Sequence, residues 1–152
     1  MKAAVVPAVS SSWQIQDVPQ PQRGPNQVLV KMHASGICYT DVHQTQGHLP
    51  GEFPRILGHE PVGEIVAVAP GVTTRKVGDR VGTAWVQSTC GRSEWCLRGR
   101  RMFCPYMKGT GGDVQGGHAE YTLMNADVTY LIPDKVSYEQ AAPIFCAGYT
   151  VY

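Results

Sequence analysis

The chain has almost no excess charge of either sign, with 13 Lys+Arg against 12 Asp+Glu and a formal net charge of +1. That balance removes the electrostatic basis for binding nucleic acid or an anionic membrane. The one basic cluster, Arg98, Arg100 and Arg101, reads as a solvated loop face. Long apolar runs are also missing. The opening "AAVV" (3–6) is stopped by Pro7, too short for a signal peptide or a membrane span. Without an export signal, the expected compartment is the reducing cytoplasm, where thiols stay free or hold metal. Cysteine numbers five, an odd count that argues against a closed disulfide framework. Internal repeats and low-complexity tracts are absent. No G-x-G-x-x-G fingerprint follows a predicted strand. The Gly-rich "GTGGDVQGG" (109–117) precedes a strand and reads as a loop.

What is present points to a β-rich domain. A chain of 152 residues with 43% hydrophobic content can bury one core. Its 17 glycines and 11 prolines are spread along the length, as suits short strands joined by turns. "KAAVV" (2–6) and "WQIQDV" (13–18) predict a hairpin. Further strands are expected at 27–37, 61–71, 76–85, 116–125 and 128–133, with a loop at 49–58. A short helix is expected at 39–47, ended by Gly47. Residues 137–152 read as helical, with Ser137 and Gln140 at capping-box spacing and Pro143 as a kink or restart. The last residues, "CAGYTVY", are small or apolar, so the chain is expected to be the front part of something longer.

The chemistry-bearing residues fall in two groups. Cys38 closes a predicted strand, His59 lies in "GHE" (58–60), and Cys146 lies near the last helix. Spacing alone does not bring these three together, and free cysteines are commonly just buried small hydrophobes. The second group is "STCGRSEWCLRGRRMFCPYM" (88–107), carrying Cys90, Cys96 and Cys104. Were Ser93 a cysteine, this stretch would read C-x2-C-x2-C-x7-C, a four-thiolate metal lobe.

The motifs "GICYTDVH" (36–43), "GHEPVGEIVAVAPGV" (58–72), "VGDRVG" (77–82), the cysteine lobe and "GGHAEY" (116–121) occur in one order. That order resembles the zinc-containing medium-chain alcohol dehydrogenases, and the resemblance covers nearly the whole chain. It implies a mostly β fold with short helices, the GroES-like partly open β-barrel that forms the family's catalytic domain. Residues 1–152 would be that domain, 88–108 the structural-zinc type of lobe, and 137–152 the start of the connection to a Rossmann coenzyme domain lying outside this chain.

The resemblance also implies a site. Cys38, His59 and Cys146 would hold the catalytic zinc, a Cys2His set known from the family itself, with an open position for water or the alcohol. The metal would serve as a Lewis acid toward the alcohol oxygen. Thr40 and His43 match a proton relay, a hydroxyl handing on to an imidazole. Asp41 would orient His59 through the ring's free nitrogen. Glu60 is expected close to the zinc, with a part in exchanging its ligands. Thr150 matches a position beside the nicotinamide. Tyr39 stands where some members carry a basic residue near the coenzyme phosphates. Leu49 and Trp85 match substrate-pocket positions, and a leucine at 49 leaves room for larger or aromatic primary alcohols. In the lobe, Ser93 replaces a structural-zinc ligand. Three thiolates remain, with water or Glu94 as a fourth partner, and weaker binding is expected because a neutral hydroxyl is a poor ligand beside thiolates.

The reaction implied is oxidation of a primary or secondary alcohol to an aldehyde or ketone, with hydride passing to NAD or NADP in the complete protein. The isolated chain is expected to be inactive, for want of a place to dock the coenzyme. The partners implied are a small alcohol or aldehyde and further copies in a homodimer or homotetramer, with no nucleic acid and no membrane. Two other classes stay open. A coenzyme-independent zinc hydrolase or lyase would use Glu60 as base. A non-catalytic GroES-like binding module would have no need of Cys38, His59 and Cys146 together.

Overall fold

The computed structural model describes all residues, 1–152. Strands β1 (Lys2–Val6) and β2 (Gln14–Asp17) pair antiparallel, as the two β-branched runs predict. β3 (Gln27–Gly36) leads into helix α1 (Tyr39–Thr45). β4 (Arg55–Ile56), β5 (Glu60–Val68), β6 (Arg80–Gly82) and β7 (Val86–Ser88) follow. The cysteine lobe contains α2 (Glu94–Leu97) and a 3-10 turn at Arg101–Phe103. β8 (Lys108–Gly109), β9 (Tyr121–Asn125) and β10 (Tyr130–Leu131) come next. The chain closes with α3 (Tyr138–Ala141), a 3-10 turn at Ala142–Phe145 and α4 (Ala147–Val151). No helix is long and apolar enough to cross a membrane.

The main sheet has five strands in the order β10-β6-β5-β3-β9, all neighbours antiparallel. A second sheet runs β2-β1-β4, and β7 pairs with β8. The central pair, β3 and β5, carries the core. Val28, Val30, Ile65, Val81, Met124 and Ala126 form one buried cluster. Val62, Ile132, Ala141 and Ala142 form another beneath the C-terminal helices. The hydrophobic alternation of β3 is imperfect for a structural reason. Its pairing with β5 shifts register between Leu29 and Val30 and again between Met32 and Ala34. Each irregularity turns the side chains that follow to the other face.

Several strand boundaries differ from the sequence expectation. The predicted 116–125 strand is regular only from Tyr121 onward. Before it, the N–H groups of Gly116, Gly117 and His118 donate to the carbonyls of Ile56, Gly58 and Leu57, so this segment clamps the loop that carries His59. The predicted 128–133 strand shortens to Tyr130–Leu131, because Ala126–Val128 forms a 3-10 turn that buries Ala126 and Val128. The 76–85 strand shortens to Arg80–Gly82. The expected 49–58 loop contains the short β4, which pairs with β1. β7 and β8, at the base of the lobe, have no alternation long enough to announce them.

At the C-terminal end, the capping box forms. Gln140 N–H donates to Ser137 Oγ at 3.3 Å, and Ser137 N–H donates to Gln140 Oε1 at 3.2 Å. Pro143 stands in the 3-10 turn that follows. Cys146, at φ −132° and ψ −74°, lies off the helical path in the break before α4. Pro143 thus divides the predicted helix, and Cys146 lies at the division.

Candidate metal centre

Three segments distant in sequence converge on one point. Cys38 follows β3 at the N-terminal end of α1. Asp41, fully buried, accepts a hydrogen bond from Cys38 N–H at 2.9 Å through Oδ2 and from Gly58 N–H at 3.0 Å through Oδ1. One carboxylate therefore ties the helix bearing Cys38 to the loop bearing His59. Gly58 has φ +94°, the left-handed region that disfavours side chains, and a Cβ there would press on His118 and Ser35. His59 and Glu60 follow, both buried, the latter opening β5. Cys146 enters from the break before α4, placing its Sγ 3.7 Å from Cys38 Sγ. One ligand atom from each of Cys38, His59, Glu60 and Cys146 lies within 4.8 Å of all the others.

The electrostatics of this cluster are uneasy without a cation. Burial pushes the Glu60 carboxyl above its ordinary range, and the Asp41 charge adds to this, while Cys146 works in the opposite direction. Burial also pushes the Cys146 thiol up to about 12, with Cys38 and Glu60 reinforcing the shift. His59 is pushed down by burial, partly offset by Asp41. Asp41 itself is raised by burial, but His118 and the Cys38 N–H outweigh that and leave it below the usual carboxylate range. A divalent cation among the four donors reverses the sign for the Cys146 thiol and the Glu60 carboxyl, because it stabilises their ionised forms. Sulfur, imidazole nitrogen and carboxylate oxygen are the donors zinc takes. The donor set and its burial fit that ion.

Asp41 Oδ1 lies 3.8 Å from His59 Nδ1, longer than a direct hydrogen bond but on the side of the ring that leaves Nε2 free. The Trp85 ring packs against this imidazole at close to a right angle, 5.5 Å away centroid to centroid. A second histidine belongs to this arrangement and was not assigned a role from the sequence. His118 Nε2 is 3.9 Å from Asp41 Oδ2, and its ring packs on Trp13 at 5.2 Å. Both His59 Nδ1 and His118 Nε2 are buried without a hydrogen-bond partner, each turned toward Asp41. The "GGHAEY" motif held this residue, but only the clamp onto the His59 loop brings its ring beneath the carboxylate.

Gly36 is required by Glu60. A Cβ on Gly36 would lie 3.1 Å from Glu60 Cβ and would overlap the carboxylate. Gly36→Ala is expected to cost about 1–3 kcal/mol as overpacking and to weaken metal binding by displacing Glu60. Chemical denaturation and zinc titration of the two proteins check this.

The remaining predicted residues divide. Thr40 Oγ1 is 3.6 Å from Cys38 Sγ. His43, one turn further along α1, has its Nδ1 3.3 Å from Nδ1 of His48. His48 is exposed and was also missed, since a lone histidine after a helix-ending glycine gives no sign of where it points. Tyr39 is exposed and edge-on to His43 at 4.8 Å. Trp85, Cys146 and Thr150 border one large cavity of about 1020 Å³, whose apolar wall includes Ile144, Phe145 and Tyr149. Leu49 is partly exposed and lies outside that cavity's lining.

The second cysteine group also closes up. Cys90 Sγ lies 3.5 Å from Cys104 Sγ and 4.0 Å from Cys96 Sγ. Ser93 caps α2, its Oγ accepting the Cys96 N–H at 3.3 Å, while its own N–H points at Cys90 Sγ. The Arg92 N–H and then the Ser93 hydroxyl hold the Cys90 thiol down at about 6. The Ser93 hydroxyl leads the causes that lower Cys96. These three cysteines can hold a metal ion, but Glu94 is outside the group and faces Arg98 Nη1 at 3.5 Å.

A β-rich domain that gathers two thiols, an imidazole and a carboxylate into one buried cluster is built to handle a metal. The profile of the alcohol dehydrogenase GroES-like domain matches residues 24–134. An alcohol dehydrogenase of Geobacillus stearothermophilus is 47% identical across 100% of this chain and 46% of its own length. The crystal structure of the alcohol dehydrogenase from the archaeon Aeropyrum pernix superposes with a TM-score of 0.88 at 33% identity, over 100% of this chain and 46% of that one. CAD from Helicobacter pylori, complexed with NADP(H), superposes with a TM-score of 0.91 at 26% identity, over 99% and 46%. The chain therefore belongs to the zinc-containing medium-chain alcohol dehydrogenase family, as its GroES-like N-terminal domain. It spans a little under half the length of the curated relatives it matches.

Proposed function

We propose that residues 1–152 are the zinc-holding catalytic domain of an NAD(P)-dependent alcohol dehydrogenase acting on a primary or secondary alcohol. The observation that carries this reading is the meeting of Cys38, His59, Glu60 and Cys146 within 4.8 Å from three separate segments. Cys38, His59 and Cys146 would hold zinc, with Glu60 close enough to exchange with an incoming oxygen. Zinc bound there supplies a Lewis acid toward the alcohol oxygen.

The chain's own groups do the rest. Asp41 fixes the orientation of His59 and positions the Cys38 helix at once. Thr40 Oγ1, beside Cys38, accepts the alcohol proton and passes it toward His43. His48 extends the path outward, one of the facing Nδ1 atoms carrying the hydrogen, so the proton leaves by an exposed imidazole. Trp85, Ile144 and Phe145 keep an apolar wall beside the cluster, which excludes water from the hydride path. Tyr39 and Thr150 would contact the coenzyme, and 137–152 would begin the connection to the domain that binds it. The NADP(H) in the Helicobacter relative supports that coenzyme class. Assembly as a homodimer or homotetramer in the cytoplasm belongs to the same reading.

Cobalt(II) in place of zinc tests this without any coenzyme. The visible spectrum of the cobalt-loaded chain is expected to shift on adding benzyl alcohol or benzaldehyde, and Cys38→Ser abolishes the signal. No shift with either compound, together with coenzyme-free ester hydrolysis by the zinc form, would support a hydrolase instead.

A further inference from the structure

We propose that the Cys90–Cys96–Cys104 lobe is a three-thiolate site for copper(I), a soft cation of low coordination number, and not a closed zinc site. The three sulfurs lie within 4.8 Å of one another, with pairs at 3.5 and 4.0 Å, close enough to share one ion. The fourth corner is missing for a stated reason. Ser93 occupies the position, and its Oγ serves the Cys96 N–H as the cap of α2. No histidine or carboxylate replaces it, and Glu94 faces Arg98.

Structural zinc closes with four ligands. Thiolates suit soft ions, copper(I) and zinc among them, and the singly charged d10 copper(I) is satisfied by two or three where zinc asks for four ligands. Backbone N–H groups of Cys90 and Ser93 point at the sulfurs of Cys104 and Cys90, at 3.5 and 3.3 Å. Arg92 and Arg100 lie on the same lobe without an ion-pair partner. The N–H groups offset part of the excess negative charge of three thiolates around a monovalent ion. Binding releases the thiol protons, and copper enters and stays as copper(I), so no electron changes hands. This inference is independent of the catalytic-site reading, since it involves none of that site's residues.

The test is anaerobic. The reduced chain, carrying one equivalent of zinc, is titrated with copper(I) against bicinchoninate, and the product is studied by X-ray absorption. One copper surrounded by three sulfurs is expected, and Cys104→Ser loses it while keeping the zinc. Ser93→Cys restores a fourth thiolate. It is expected to raise zinc affinity at the lobe by about tenfold or more while leaving copper(I) affinity within about twofold. Copper ligated by two sulfurs would overturn the proposal. So would zinc that departs with Cys104→Ser, or a Ser93→Cys variant that tightens both metals alike.

Discussion

Cys146→Ser is expected to weaken zinc binding to the chain by at least about a hundredfold, since even outer partners of a metal ligand cost 10–100-fold. The fold should survive. Cys146 is only partly buried, and the helices around it are held by the Val62–Ile132–Ala141–Ala142 cluster, which it does not join. Its thiol is pushed up to about 12, by burial first and then by Cys38 and Glu60. In the absence of a cation it stays protonated at neutral pH and contributes little charge. Serine therefore changes the metal-free protein slightly and the metal-bound protein severely. Zinc affinity by chelator competition, set beside the thermal midpoint of the metal-free form, separates the two. An unchanged affinity would remove Cys146 from the ligand set.

Asp41→Asn is the second large effect. The carboxylate is fully buried and receives the N–H groups of Cys38 and Gly58 while facing both His59 and His118. An amide keeps one acceptor oxygen and turns an NH2 group toward at least one of these donors. The expected costs are about 1–3 kcal/mol of stability for the unmatched buried group and a 10–100-fold loss of zinc affinity through the misoriented His59. Asp41→Ala, which loses both acceptors, should cost more on each measure. Denaturant unfolding with and without zinc reads the two contributions separately. If the asparagine variant lost stability but kept full zinc affinity, Asp41 would be a brace for the loop and nothing more.

The parts of this site that could be read in the sequence were those carried by ordered motifs. "GICYTDVH" and "GHEP" named Cys38, His59 and Glu60, and the structure brings them into one cluster with Cys146. What the sequence hid depends on long-range packing. His118 reaches Asp41 because residues 116–118 bond across to the Ile56–Gly58 loop, a pairing outside any regular strand. His48 meets His43 only through the turn that follows α1. The strand at 128–133 shrank because burial of Ala126 and Val128 in a 3-10 turn outweighed β-branched propensity. Pro143, by contrast, acted locally and its effect was readable.

The central claim is that the Cys38–His59–Cys146 cluster binds zinc without help from the cysteine lobe. Zinc per chain, measured by native mass spectrometry of the freshly reduced protein, tests it most directly. The account predicts one zinc, lost on Cys38→Ser or His59→Ala and kept on Cys90→Ser. Zinc that survives both of the first changes and departs with Cys90→Ser would contradict it.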